Sequence, residues 1–418
     1  MPPDATPDQA TAPDRATGPV VGPPVLPDGV GATRGAPVGE PPAEAPGTDR
    51  REPPGPLIRW FPRTALLVYA GIRVATVAVV ALADLFTHKS LLYDLDIWDG
   101  AWFLRAVRYG YPAHLPMTGG HVAANPVAFF PLLPLLVRLI DLTGLPPGWS
   151  ALLLSAVTGA TAVYGVGRLA RHLGGDGAGQ RAALLFAVFP GTFAFSLAYS
   201  EGIVITCVSL GLLALLARRW WLAGLLGAVA TAASPVALAF VASCLWCAGR
   251  EVVKERRYGA LVAPLLAPLG FVAYMAYLER HTGTLAAWRL TERGGWKSYP
   301  SLVYAVHTVV VFVRDPVATN KTDDLLFVCT ALVVVAAVTA VRSSMPTPLL
   351  LYGLSAAAFG MISAPIGLRP RFIFLAFPLI IAVGTRLRGR AFVSVAAVST
   401  VFLIGLTAFE VTSWRIFP

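Results

Sequence analysis

Residues 64–112 read TALLVYAGIRVATVAVVALADLFTHKSLLYDLDIWDGAWFLRAVRYGYP, and the fold turns on the change of character halfway along. Positions 64–84 are apolar apart from Arg73, Asp84 and scattered hydroxyls. A run of that kind, about 20 residues long, predicts a membrane-spanning helix. The second half is polar and aromatic. The stretch 93–112 places Asp94, Asp96 and Asp99 within six positions and surrounds them with Trp98, Trp102, Phe103, Tyr109 and Tyr111. Residues 1–56 hold eight of the 23 acidic residues, which leaves 15 for the rest, and a fifth of those sit here. Carboxylates at a membrane edge are costly to place and mark function. The stretch reads as a reaction site at the water–lipid boundary.

The composition of the whole chain agrees with that first run. It is 56% hydrophobic and 13% charged, where a soluble protein carries about a quarter charged residues. Apolar runs recur along it, so the expected fold class is all-α, a polytopic integral membrane protein. The net charge of +10 does not point to nucleic acid. The basic residues fall in short clusters between apolar runs: Arg168, Arg171 and Arg181; Arg218 and Arg219; Arg250, Lys254, Arg256 and Arg257; Arg386, Arg388 and Arg390. That is the positive-inside pattern of a membrane protein.

Residues 1–56 contain 15 of the 35 prolines and almost no aromatic residue. Such a segment buries too little apolar surface to fold and is expected to be a disordered cytosolic tail without a signal-peptide core. Residues 57–418 then form a single transmembrane domain. The segment 85–149 is too polar and Pro-rich to cross and makes a large first outer loop, with 125–140 dipping into the interface. The runs 150–168, 182–198 and 202–217 cross in turn. Residues 221–248 start and end beside basic clusters, which requires a hairpin broken at Ser234–Pro235. After 259–278 a second outer loop, 279–324, carries Glu279, Arg280, His281, Arg289, Glu292, Arg293, Trp296 and Lys297, with 302–314 a short span or an interfacial helix. The later runs 325–342, 347–366, 372–385 and 391–410 put Arg386–Arg390 inside and Arg369–Arg371 outside. The count is about 11 spans by the positive-inside rule.

Under that topology Asp94, Asp96 and Asp99, Glu201, the 279–297 loop, and Arg369 with Arg371 converge on the outer face. A carboxylate accepts a proton from an attacking hydroxyl, and guanidinium groups hold a phosphate leaving group. A sugar on a lipid phosphate supplies such a leaving group, and the chemistry formally requires neither nucleotide nor metal. If 98–109 is helical, Trp98, Trp102, Arg105 and Tyr109 share one face, as on an interfacial helix. The bland alternative is an ordinary aromatic belt beside a solvated loop, with Arg369 and Arg371 as snorkelling anchors. The four cysteines lie in apolar runs. Cys244-x-x-Cys247 has no second pair, so it reads as small apolar residues on a helix.

Taken in order, WDGAWFLRAVRYGY (98–111), ANPVAFFPLLPLLVR (124–138) and FPGTFAFSLAYSEG (189–202) resemble the PIG-V family of mannosyltransferases, within the GT-C superfamily of lipid-phosphosugar-dependent glycosyltransferases. Weaker likeness reaches RPRFIFLAFPL (369–379). The resemblance implies an inverting transfer, on the outer face, of a sugar (mannose) from a polyprenyl-phosphate donor. The acceptor would be a hydroxyl of a glycolipid, polysaccharide or protein, and no cofactor is implied. It makes Asp99 the catalytic base, with Asp94 and Asp96 able to take that role or orient the acceptor. Glu201 and Tyr199 would line the substrate pocket with Trp98, Trp102, Arg105, Arg369, Arg371 and Lys297. One position departs from the family pattern. Bacterial relatives carry Thr-Arg-Pro in the broken hairpin, where this chain has Ala233-Ser234-Pro235.

Two other classes fit the same composition. A transporter or lipid flippase would show inverted repeats and midplane charges, and no repeat of the acidic–aromatic block is present. A noncatalytic partner of a transferase would account for the missing hairpin arginine.

Overall fold

The structure, a computed structural model, describes residues 60–87, 98–314, 321–364, 367 and 369–413. Asp94 and Asp96 lie outside the described residues, as does the expected tail. The described part is helical except for two pairs of two-residue strands. In chain order come α1 (Arg63–Thr87), α2 (Asp99–Tyr109), α3 (Leu132–Asp141), α4 (Pro147–Ala187) and α5 (Glu201–Leu216). Next are α6 (Trp220–Ala233), α7 (Ala239–Glu255), α8 (Val262–Leu266), α9 (Leu269–Thr282) and α10 (Ala287–Gly295). The last are α11 (Leu302–Arg314), α12 (Lys321–Arg342), α13 (Thr347–Ile362), α14 (Pro370–Leu375), α15 (Phe377–Arg386) and α16 (Gly389–Ser413).

Several breaks fall where the sequence demands them. α4 turns at Gly174–Gly175, and Gly175 takes φ 76, a conformation open to glycine at little cost. The run 182–198 is not one helix. α4 ends at Ala187, and Pro190–Ser196 form a 3-10 segment set at 115° to α5. Pro190 has no N–H to donate and its ring disfavours continuation from the turn before. Pro268 marks a 44° bend between Tyr258–Leu266 and α9. The hairpin breaks at Ser234, which is extended, before a 3-10 turn at Pro235–Leu238. Arg218, just before α6, pairs with Glu255 at 2.7 Å and Glu251 at 3.1 Å, both at the end of α7. The two ends of the hairpin therefore meet, as the basic clusters require.

Among the described residues, three helical stretches are long and apolar enough to cross a membrane: Pro147–Ala187, Pro235–Glu255 and Gly389–Thr407. Counting each bent pair as one span raises this to five. Shorter apolar helices of 10–17 residues stand beside them, α13 and α15 included. The outward faces are apolar. α16 has almost no buried residue along its apolar window, and α1 turns Leu67, Val74, Val77 and Leu82 outward. Lipid covers such faces at no cost and water does not. This is a membrane protein.

Candidate active site

The site is assembled around the start of α2. Trp98 precedes it with φ 58 and ψ −126, a region that bulky residues rarely adopt. Asp99 is the first residue of the helix, where the dipole favours a carboxylate. α2 buries Phe103, Leu104, Ala106 and Val107. Its last carbonyls are capped from α3: Arg138 Nε donates to Val107 O at 2.8 Å and Nη2 to Ala106 O at 3.3 Å.

The block 124–131 joins the segment around α2 to α9 and α10. Asn125 Oδ1 accepts from the Val127 N–H, and its Nδ2 donates to Thr291 Oγ1 on α10 at 3.1 Å. The Tyr274 hydroxyl donates to Val127 O and the Tyr111 hydroxyl to Phe129 O. Short β-pairs and breaks leave backbone carbonyls without helical partners, and these phenols satisfy them. Phe129 also packs edge-on against Trp296 at 5.5 Å, and Trp102 does so at 5.2 Å. α10 is thereby fixed beside α2.

Arg371 arrives from the other end of the chain. Tyr299–Pro300 pair antiparallel with Ser363–Ala364, which ties the segment after α10 to the one leading into α14. Gly191 lies against α14, and a Cβ there would overlap the Pro370 carbonyl oxygen. Only glycine permits that approach. On α14 the Arg371 Nη1 donates to Asp99 Oδ2 at 2.5 Å. Its guanidinium also lies over the Tyr199 ring, 5.4 Å from the centroid, and 5.0 Å from that of Phe372, favourable cation–π placements. Tyr199 is fixed by Ser155, whose hydroxyl donates to its carbonyl oxygen at 3.1 Å. A Cβ on Gly202 would sit 2.5 Å from Thr158 Oγ1, so the start of α5 is pressed onto α4. Glu201 stands at that start, within the fields of Arg371 and Asp99.

The structure thus brings together Asp99, Tyr199, Glu201 and Arg371 from three separate stretches. Trp98 and Trp102 are half-buried beside them. The other expected residues lie apart. Arg105 is exposed, its guanidinium 5.4 Å from the Trp102 ring. Lys297 is exposed and forms no ion pair among the described residues. Arg369 is buried on the side of α12, where its charge reaches Cys329. Two arginines bracketing one proline point to different neighbours because Pro370 begins a helix and successive side chains diverge around its axis.

One acid in the cluster was not singled out from the sequence beyond its presence in the 279–297 loop: Glu292, on α10. Burial, then the charge of Asp99, pushes its carboxyl up from 4.5 to about 7, while Trp288, Ser298 and Arg371 act in the other direction. The one available signal was Trp288 four residues earlier, on the same helical face. Arg371 Nε is buried and has no hydrogen-bond partner among the described residues. The guanidinium, with a spare donor, can hold an anion while a carboxylate beside it accepts a proton. No group of three or more His, Cys, Asp or Glu side chains among the described residues is set to hold a metal ion.

No protein-family model matches the chain, and no curated protein matches it. Among solved structures it is similar to the oligosaccharyltransferase of Archaeoglobus fulgidus. Against the apo form the TM-score is 0.43, with 13% identity over 85% of this chain and 56% of the other. Against the same enzyme, AglB, in complex with an inhibitory peptide and a dolichol-phosphate, the TM-score is 0.37, with 13% identity over 80% and 56%. The chain spans 56% of the length of that enzyme.

Proposed function

We infer that the protein is a membrane glycosyltransferase that moves a sugar, mannose on the sequence resemblance, from a polyprenyl-phosphate donor to an acceptor hydroxyl at the outer face of the membrane. The observation that carries this reading is the Asp99–Arg371 pair, a carboxylate and a guanidinium joined at a membrane edge. Asp99 faces the acceptor hydroxyl and draws off its proton as the oxygen attacks the anomeric carbon. The bond from that carbon to the phosphate oxygen breaks, and its electron pair leaves with the phosphate. Arg371, with its Nε unpartnered, neutralises the charge that develops there. Tyr199, Glu201, Trp98 and Trp102 wall the space around the reacting groups. Arg105 and Lys297 serve as rim contacts, and Arg369 stiffens the turn into α14. Asp94 and Asp96, outside the described residues, are assigned the orienting of the acceptor on the sequence resemblance alone.

The test is sugar transfer by the purified protein in liposomes that hold radiolabelled polyprenyl-phosphate mannose. Asp99→Asn should abolish transfer while leaving expression and solubility in detergent unchanged. Full activity in that variant removes Asp99 from the chemistry. Movement of labelled lipid between leaflets with no glycosylated product would favour the transporter reading instead.

A further inference from the structure

We propose that Arg73 is a positioning residue for this site: from the middle of α1 it holds the 3-10 segment Pro190–Ser196, and through that segment it sets where Arg371 and Tyr199 stand relative to Asp99. The proposal rests on the glycosyltransferase reading and adds to it a residue that touches neither substrate nor reacting atoms.

Arg73 is the one basic residue inside the apolar run 64–84, and it is only 9% exposed. A guanidinium at that depth is costly and marks function. Its Nη1 donates to Thr192 O at 2.6 Å and to Ser196 Oγ at 2.8 Å. Nε and Nη2 are buried without a hydrogen-bond partner among the described residues. Every hydrogen bond that this side chain makes to a described residue therefore goes to one segment. That segment needs an outside donor. It lies at 115° to α5, and a bent joint leaves backbone carbonyls that no helix satisfies.

Two routes lead from Arg73 to the site. Thr192 follows Gly191, whose backbone lies against the Pro370 carbonyl oxygen with no room for a Cβ. The second route runs through rings. The Arg73 guanidinium lies 5.2 Å from the ring centroid of Tyr69, one turn earlier on α1. The Tyr69 hydroxyl is anchored on α4, donating to Ala156 O at 2.8 Å. Tyr69 packs edge-on against Phe195 of the segment at 6.1 Å, and Phe195 against Phe374 of α14 at 5.4 Å. Pro370 and Phe374 stand on α14 on either side of Arg371. Three residues beyond Ser196, the Tyr199 ring lies under the Arg371 guanidinium. Releasing the segment from α1 therefore loosens α14 and Tyr199 together, and Arg371 moves with them. A misplacement of about 1 Å in a reacting constellation costs about 10²-fold in rate.

The test compares the wild type with Arg73→Met, Arg73→Lys and Ser196→Ala in the liposome assay. Each protein is first purified as a folded species, and rates are read below every melting temperature. A residue that only stabilised the fold would lower the melting temperature and leave the kcat of folded protein unchanged. In Arg73→Met, kcat should instead fall by about 10²-fold, with little change in KM for the donor. Arg73→Lys keeps a charged donor on a flexible stem and should recover part of that loss. Ser196→Ala removes one of the two acceptors and should lower kcat by a smaller factor. Folded Arg73→Met with wild-type kcat overturns the proposal. So does an Arg73→Lys enzyme as slow as Arg73→Met, which would assign the loss to packing. A raised KM with unchanged kcat would make Arg73 a substrate-binding group and overturns it too. Where Arg73→Met does not fold, Ser196→Ala decides: a lowered kcat supports the proposal and a wild-type kcat overturns it. Absence of transfer by the wild type would instead overturn the glycosyltransferase reading itself.

Discussion

Asp99 and Arg371 are 272 positions apart in the chain, yet the Arg371 Nη1 donates to Asp99 Oδ2 at 2.5 Å, from α14 to the start of α2. Both side chains are largely withdrawn from solvent, 27% and 13% exposed respectively. Such a pair is expensive to break from one side, because the partner is left as a buried, uncompensated charge.

A double-mutant cycle measures that cost. Arg371→Met should destabilise by about 3 kcal/mol, whereas adding Asp99→Leu in the same chain should recover part of that loss. A coupling energy of about 1–3 kcal/mol between the two sites is expected from thermal melts in detergent. Strict additivity would mean that the two side chains do not interact in the membrane.

Gly191 and Gly71 make an internal comparison. A Cβ at Gly191 overlaps the Pro370 carbonyl oxygen, while Gly71 on α1 has nothing within 4 Å. Gly191→Ala should cost about 1–3 kcal/mol by overpacking and depress sugar transfer, because α14 must move and Arg371 moves with it. Gly71→Ala should be neutral or stabilise by about 0.5–1 kcal/mol as a helix substitution. Equal melting temperatures for the two variants would contradict the close approach.

Glu292 also leaves a mark on stability. Its folded value, about 7, lies above its ordinary 4.5, so the native state binds more protons than the unfolded one between those limits. The stability it contributes is complete below about pH 4.5 and is lost as pH rises toward 7 and beyond. Relative to Glu292→Gln, the wild type should therefore lose up to about 3 kcal/mol across that window. Parallel stability–pH curves for the two proteins would show that the carboxyl is not perturbed.

Labelling tests the sidedness on which the site depends. Lys297→Cys after α10 and Arg257→Cys after α7 are both at exposed positions. The native cysteines 207, 244 and 329 are buried and Cys247 is half-buried, so both variants are made in a Cys247→Ser background. An impermeant maleimide applied to whole cells should modify Lys297→Cys and leave Arg257→Cys untouched until the membrane is opened. Modification of both from one side would place the acids and arginines on different faces from those assigned.

Much of the fold is legible locally. Apolar run length predicts helices, and the basic clusters that include Arg218 and Arg257 require that the ends of the hairpin meet. The run 182–198 shows the limit of that reading: its composition suits a crossing, but Pro190 and the contact of Gly191 with Pro370 make it a bent joint. Hydropathy averages over a window, while a helix ends at a single residue.

For the site, the sequence by itself determined that acids, aromatics and arginines fall in blocks between apolar runs, because lipid excludes charge from the runs themselves. Only the tertiary structure decided that Arg371 rather than Arg369 meets Asp99, that Lys297 stays apart, and that Glu292 joins the cluster. Those choices depend on which face of α14 and α10 is pressed against α2. That is fixed by glycine contacts, phenol–carbonyl bonds and stacked indoles drawn from the whole length of the chain, and no local pattern encodes them.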